Sequence, residues 1–249
     1  MDGTGDTGQA TAPERAPAPE AEGPTPAPYP AGDHPFGPDG AAILATEHWS
    51  LLASRSLLWN EAMSRATVFL SVLSAATIAL ALLADATGFG PQTTTLALVL
   101  LPVVLFLGIA AHGRLVEINR EEVELVLAMN RLRHAYLKIA PALEPYFTTG
   151  HHDDEQGLAA SYVAGGRRLR RWGQFLVNMP TIVATVDAAL AAAIVVLVVR
   201  AAEAATTVAV AAGAVAFLVV WAALFLLQRR ALGPGRRTTP RFPTPPDKA

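Results

Sequence analysis

Four stretches of this chain are so long, so apolar and so poor in charge that they constrain everything else about it. Ala66 to Ala84 carries no charge between Arg65 and Asp85, and Thr93 to Ala111 follows a Gly90-Pro91 turn and stops short of Arg114. Asn178 to Val199 contains the single acid Asp187, and Thr206 to Leu227 is uncharged and ends at Gln228. An α-helix rises 1.5 Å per residue, so about 20 apolar residues cross a hydrocarbon core roughly 30 Å thick. One such run is compatible with the buried helix of a water-soluble protein; four together predict an all-α membrane protein with four transmembrane helices. Pro102 and Pro180 fit that reading, because neighbouring groups inside a membrane bundle can satisfy the carbonyls that proline frees. Composition agrees, with 52% hydrophobic and 16% charged residues against about 25% charged in soluble domains. The chain has no cysteine, which excludes disulfides, thiolate metal sites and cysteine nucleophiles.

The net charge of -2 hides a polarity along the chain. Residues 1–40 set Asp2, Asp6, Glu14, Glu20, Glu22, Asp33 and Asp39 against Arg15 and are rich in Pro, Ala and Gly. Such a segment buries too little apolar surface to offset its ordering entropy, so a disordered acidic tail is expected. It lacks the basic start and apolar stretch of a signal peptide. Residues 228–249 reverse the sign through Arg229, Arg230, Arg236, Arg237, Arg241 and Lys248 and are broken by prolines, which predicts a disordered basic tail.

Orientation follows from the arginines. The short loop Asp85 to Gln92 has no basic residue and the loop after the third span offers only Arg200 beside Glu203, whereas Arg55 and Arg65 precede the first span and basic residues recur between His112 and Gln174. Lys and Arg concentrate on the cytoplasmic side, so both termini and the middle segment 112–174 are expected in the cytoplasm. Trp59, Trp172 and Trp221 fit an interfacial aromatic belt. The abundance of Arg over Lys, with Ala dominating the apolar runs, fits a GC-rich bacterial origin and hence a bacterial cell membrane.

The middle segment has its own pattern. Leu115, Ile118, Leu125, Met129, Leu132, Tyr136 and Ile139 follow a 3-4 spacing interrupted at Glu122, the seam of a long amphipathic helix or coiled coil. It continues the second span and should stop before Pro141. A preceding helix over 41–65 presents Leu44, Leu51, Leu52, Leu58 and Trp59 and runs directly into the first span. These helices can pack on each other or on a second copy, so a homo-oligomer is expected.

Candidate functional residues fall in three places. His151, His152, Asp153, Asp154 and Glu155 gather imidazoles and carboxylates suited to Zn²⁺ or Mn²⁺, although adjacent loop residues seldom converge on one ion and no helical His-x-x-x-His completes a site. Asp153 or Asp154 serves equally as the cap of a helix beginning near Glu155. Arg167, Arg168, Arg170, Arg171 and Trp172 stand before the third span, where arginines attract anionic lipid headgroups at roughly 1 kcal/mol each. Without a wider basic face and stacking aromatics they do not read as a nucleic-acid surface. Asp187 sits near the middle of the third span, where an ionised carboxylate costs at least about 2.5 to 3.5 kcal/mol, so it should face the bundle interior. Thr67, Ser71 and Ser74 of the first span are spaced to donate hydrogen bonds to it. Small residues, Ala184, Ala188 and Ala191 in the third span and Ala205, Ala209, Gly213 and Ala216 in the fourth, should let those helices approach closely.

Arg55-Ser56-Leu57-Leu58-Trp59-Asn60-Glu61 leading to Ser64-Arg65-Ala66-Thr67, Met129-Asn130-Arg131-Leu132-Arg133-His134-Ala135-Tyr136, Glu144-Pro145-Tyr146-Phe147 and His151-His152-Asp153-Asp154 resemble an uncharacterised family of actinobacterial integral membrane proteins. The resemblance covers about residues 45 to 200 and implies four membrane helices with no assigned activity, so it carries over no catalytic residue. The plan of a membrane hairpin with long cytoplasmic helices is similar to two-helix membrane effector domains of bacterial conflict systems. The resulting expectation is a non-enzymatic protein of structural, signalling or pore-type role, assembling through its cytoplasmic helices, with no cofactor and no identifiable protein partner. Its alternatives are ion or proton transport through Asp187 and metal-dependent catalysis at His151 to Glu155.

Overall fold

The computed structural model describes residues 36–37, 39–88, 90–162, 178–231, 233 and 239–246, and these are all-helical with connecting turns. Helix α1 spans Gly40–Thr87 and α2 Pro91–Ile139. A 3-10 turn, Pro141–Tyr146, leads to the short α3, Glu155–Tyr162; α4 covers Met179–Ala201 and α5 Thr206–Ala231. Helices α1, α2, α4 and α5 are each long and apolar enough to cross a membrane.

The boundaries have local causes. Helix α1 is continuous, so residues 41–65 and the first apolar span form one rod; it ends at Gly88, whose φ of 71° suits a residue without a Cβ. Helix α2 begins with Pro91 at its first turn, where the missing N–H has no intrahelical partner to lose. It ends at Ile139 because Pro141 drives Ala140 out of the helical region. Asn178 caps α4, its side-chain oxygen accepting from the N–H of Thr181 at 3.0 Å. The fourth apolar segment runs beyond the expected end at Leu227, so residues 228–231 are helix rather than tail.

Helix α2 is the spine, packing along α1 on one side and α4 on another, while α4 and α5 form the second antiparallel pair. One core joins Phe69 and Ala76 of α1, Leu101, Val104 and Leu115 of α2, and Val183 and Leu190 of α4. Small residues set the closeness. Ala184, Ala188, Ala191, Ala209 and Gly213 are all buried, and a Cβ on Gly213 would collide with the Val196 side chain, as expected for membrane-type helix packing. Ala205, by contrast, is exposed. The outer surface is apolar, with Phe106 70% and Leu218 63% exposed, a surface that lipid rather than water would cover.

At the end of the bundle that carries the first turns of α4 and the last turns of α5, α1 and α2 extend into a polar module. Arg114 there donates from Nε and Nη2 to the two oxygens of Glu61, at 2.9 and 3.0 Å, and from Nη1 to Glu121 at 2.9 Å. The hydrogen bond from Arg114, followed by that from Arg65, holds the Glu61 carboxyl at about 2. Arg55 adds an ion pair with Glu122 at 2.8 Å.

The 3-4 seam is largely filled inside one chain. Met129, 2% exposed, packs with Val126, Leu127 and Leu158, with Leu51 of α1 against them. That removes Met129 from any surface offered to a second copy, while Leu125, Leu132 and Tyr136 stay half-buried. Met129→Asp should therefore destabilise the polar module itself by about 3–5 kcal/mol, seen as a lower thermal midpoint by circular dichroism in detergent. A variant of unchanged stability but smaller oligomeric mass would return the seam to an interface between copies.

Candidate functional site

The polar module contains a clamp built from loop, helix and chain end. Asn130 of α2, fully buried, donates from Nδ2 to the carbonyl of His152 at 2.9 Å and accepts from Arg133 and Ser161. This fixes the loop that leads into α3. Gly150 and Gly157 let it close, since a Cβ on either would run into backbone across the loop. Asp154 caps α3, accepting from the N–H of Gly157 at 2.8 Å, the capping role open to it from sequence.

The two carboxylates grip residues 241–244 of the C-terminal segment. Asp153 accepts from the N–H groups of Arg241 at 2.9 Å and Phe242 at 2.7 Å, and from Nε of Arg131 at 2.6 Å. Asp154 accepts from the N–H of Thr244 at 2.6 Å and its hydroxyl at 3.0 Å. The carbonyl of Phe242 accepts from the Asp153 N–H at 3.3 Å and from Nδ1 of His152 at 3.2 Å. The Phe242 ring stacks on His134 with centroids 4.3 Å apart, and the Lys138 ammonium lies 5.1 Å from its centroid. Residues 239–246 are thus not the free tail that their composition predicts.

Burial is the largest single influence on both aspartates and pushes them up, but the hydrogen bonds they accept together outweigh it. The amides of Arg241 and Phe242 and the Arg131 guanidinium hold Asp153 below the usual carboxylate range. Gly157 and Thr244 do the same for Asp154. His134 is lowered by burial and then by Lys138, His152 and His151. The ring centroids of His151 and His152 lie 4.3 Å apart, and that of His134 lies 6.5 and 5.9 Å from them. Among the described residues, however, no three His, Asp or Glu side chains converge as a metal cage, because the Asp153 and Asp154 oxygens are turned to N–H and O–H donors. Arg167, Arg168, Arg170, Arg171 and Trp172 lie outside the described residues.

Asp187 occupies a second site. It is 0% exposed, as the expectation of an inward acid requires, and neither oxygen has a hydrogen-bond partner among the described residues. Its carboxyl rests against Gly108 of α2 and next to the Phe69 ring of α1. Thr67, Ser71 and Ser74 are not brought to it. They lie exposed on the outer face of α1, because the inward stripe Ala62, Ala66, Phe69, Ala76 occupies the other side of the helix. Nothing in this packing compensates an ionised carboxylate.

One polar group escaped sequence reasoning. His112, Asn178, Thr181 and Gln228 gather where the spans meet the module: His112 donates from Nδ1 to the Pro180 carbonyl at 2.9 Å, and Gln228 donates from Nε2 to Asn178 at 3.3 Å. Their signal was only that each stands at the end of an apolar run.

Comparisons with protein-family models, curated proteins and solved structures give no match.

Gly108→Ala should cost about 1–3 kcal/mol by overpacking, and adding Asp187→Ala should recover most of that loss in a thermal-denaturation double-mutant cycle. Additive effects would separate the two residues. The clamp has a pH signature as well. Groups whose values are depressed on docking stabilise it fully above their undocked values and release that stability as pH falls. Docking should weaken as pH falls below the undocked carboxylate value of about 3.9, where Asp153 and Asp154 begin to take up protons and surrender the amides of Arg241, Phe242 and Thr244. Fluorescence energy transfer between α3 and residue 246 measures this, and a signal unchanged down to pH 3 would exclude the carboxylates as its anchor.

Proposed function

We propose that this chain is a multi-pass membrane scaffold that works by holding an extended peptide on its cytoplasmic module, in an assembly or signalling role rather than catalysis. The observation that carries this reading is the grip of Asp153 and Asp154 on three backbone N–H groups of residues 241–244. Backbone recognition of an extended strand by fixed acceptors, with an aromatic side chain as anchor, is a recurrent mode of peptide capture. In this reading the C-terminal segment occupies the site in cis, and its exchange for a competing segment, from a partner or from a second copy in a homo-oligomer, transmits the signal. The carboxylates that a metal-dependent enzyme would need are spent on the clamp, and Asp187 is sealed by Phe69 and Gly108. Both support scaffold over catalyst or transporter.

The same proposal places the four apolar helices in a bacterial cell membrane. Arg55, Arg65 and the basic residues of α2 support a cytoplasmic position for the module and both chain ends under the positive-inside rule.

The test is a labelled peptide of residues 239–246 added to detergent-solubilised protein truncated after Ala231. It should bind the truncated form saturably and the full-length form at least about tenfold more weakly, because charge-assisted hydrogen bonds of this kind contribute about 1.5–3 kcal/mol each. Asp153→Asn in the truncated protein should weaken binding by a similar factor. Peptide that fails to bind the truncated form, or binds both forms alike, would remove the docking function.

A further inference from the structure

A cleft of about 590 Å³ opens between α1, α2 and the first turn of α4. Its floor is apolar, made by Leu58, Ala62, Leu115, Ile118, Met179 and Pro180. Its height in the fold is set by sequence. Ala62 lies one turn before the first apolar span, Leu115 one turn after the second, and Asn178 caps the third. The cleft therefore sits where the headgroups of a bilayer would lie. Trp59, 62% exposed, stands on its wall, a residue suited to that level.

The polar end of the cleft carries one charge of each sign, neither fully spent. Arg55 directs both Nε, at 3.2 Å, and Nη2, at 2.8 Å, to a single oxygen of Glu122, Oε1. Its Nη1 and the second carboxylate oxygen of Glu122 have no partner among the described residues. Asn178 uses its side-chain oxygen for Thr181 and Gln228, which leaves its NH₂ as a donor. Asn119 lines the same wall with its amide unengaged among the described residues.

From this arrangement we infer that the cleft binds one zwitterionic phospholipid bearing a primary amine, of the phosphatidylethanolamine class. The phosphate takes the donors of Arg55, Asn119 and Asn178, the ammonium donates to Glu122, and the start of one acyl chain lies on the apolar floor. A choline headgroup has no N–H to give Glu122, and a glycerol headgroup brings no positive charge, so the paired charges of the cleft select against both. The inference rests on the membrane location proposed above.

Native mass spectrometry of the delipidated full-length protein, with dioleoyl phosphatidylethanolamine, phosphatidylcholine or phosphatidylglycerol added in turn, tests it. One molecule of the ethanolamine lipid should bind roughly tenfold more tightly than either alternative. Glu122→Gln should bring the ethanolamine and choline lipids to equal affinity, and Asn119→Asp, which sets a negative charge against the phosphate, should weaken all three. Equal binding of the three lipids by the wild type, preference for the glycerol lipid, or an ethanolamine preference that survives Glu122→Gln would overturn the site. Resistance of the same protein to carbonate extraction from vesicles is read separately. Its loss would refute the membrane reading, whereas inserted protein without lipid preference would refute the cleft alone.

Discussion

Helix α2 can serve as the spine only because Gly108 offers no side chain at the point where α1 and α4 both press against it. Phe69 and Asp187 fill the space that a Cβ would claim, and the line of contact continues towards the polar module through His112 and the carbonyl of Pro180. Helices in lipid gain little from burying apolar surface against one another, so close approach and a few polar contacts must hold them. Once α4 is set on α2, the positions of Asn178, Gln228 and hence both ends of the second hairpin follow. The cleft beside Leu115 and the departure point of the C-terminal segment are consequences of that seam.

The polar module depends on a different balance. Its surface ion pairs are partly exposed and individually worth little. Cohesion comes instead from the small core around Met129 and Leu158 and from Asn130, whose buried amide ties α2 to the loop before α3. The charged groups contribute orientation. Arg131, engaged by Asp153, holds that carboxylate so that its remaining lone pairs face the incoming backbone.

Much of the fold was legible in the sequence, because length and apolarity of a run are one-dimensional properties. The four apolar helices, the continuation of the second until it stops at Ile139 short of Pro141, and the helix start at Glu155 all follow from local chemistry. The hydroxyl stripe Thr67, Ser71, Ser74 misled because spacing identifies residues that share a face without saying which face turns inward. That choice was made by Ala66, Phe69 and Ala76, which are buried on the inward side of α1, Phe69 and Ala76 in the core shared with α2. The 3-4 spacing pointed to a seam that could face this chain or a second copy, and at Met129 its cover is Leu158, in a helix too short to announce itself. The clamp was the least visible feature. It is made by main-chain N–H groups, which every non-proline residue possesses, so composition of the tail carried no trace of it.

The prolines of that tail acquire a meaning in the docked segment. Between residues 240 and 246 the chain has amide hydrogens only at Arg241, Phe242 and Thr244, since positions 240, 243, 245 and 246 are proline. These are the three that the clamp uses. A slip of one residue in either direction would set proline nitrogens against two of the three carboxylate oxygens. The segment thus carries its alignment as a pattern of absences: the missing hydrogens, more than the side chains between them, specify a single frame in which it can be read.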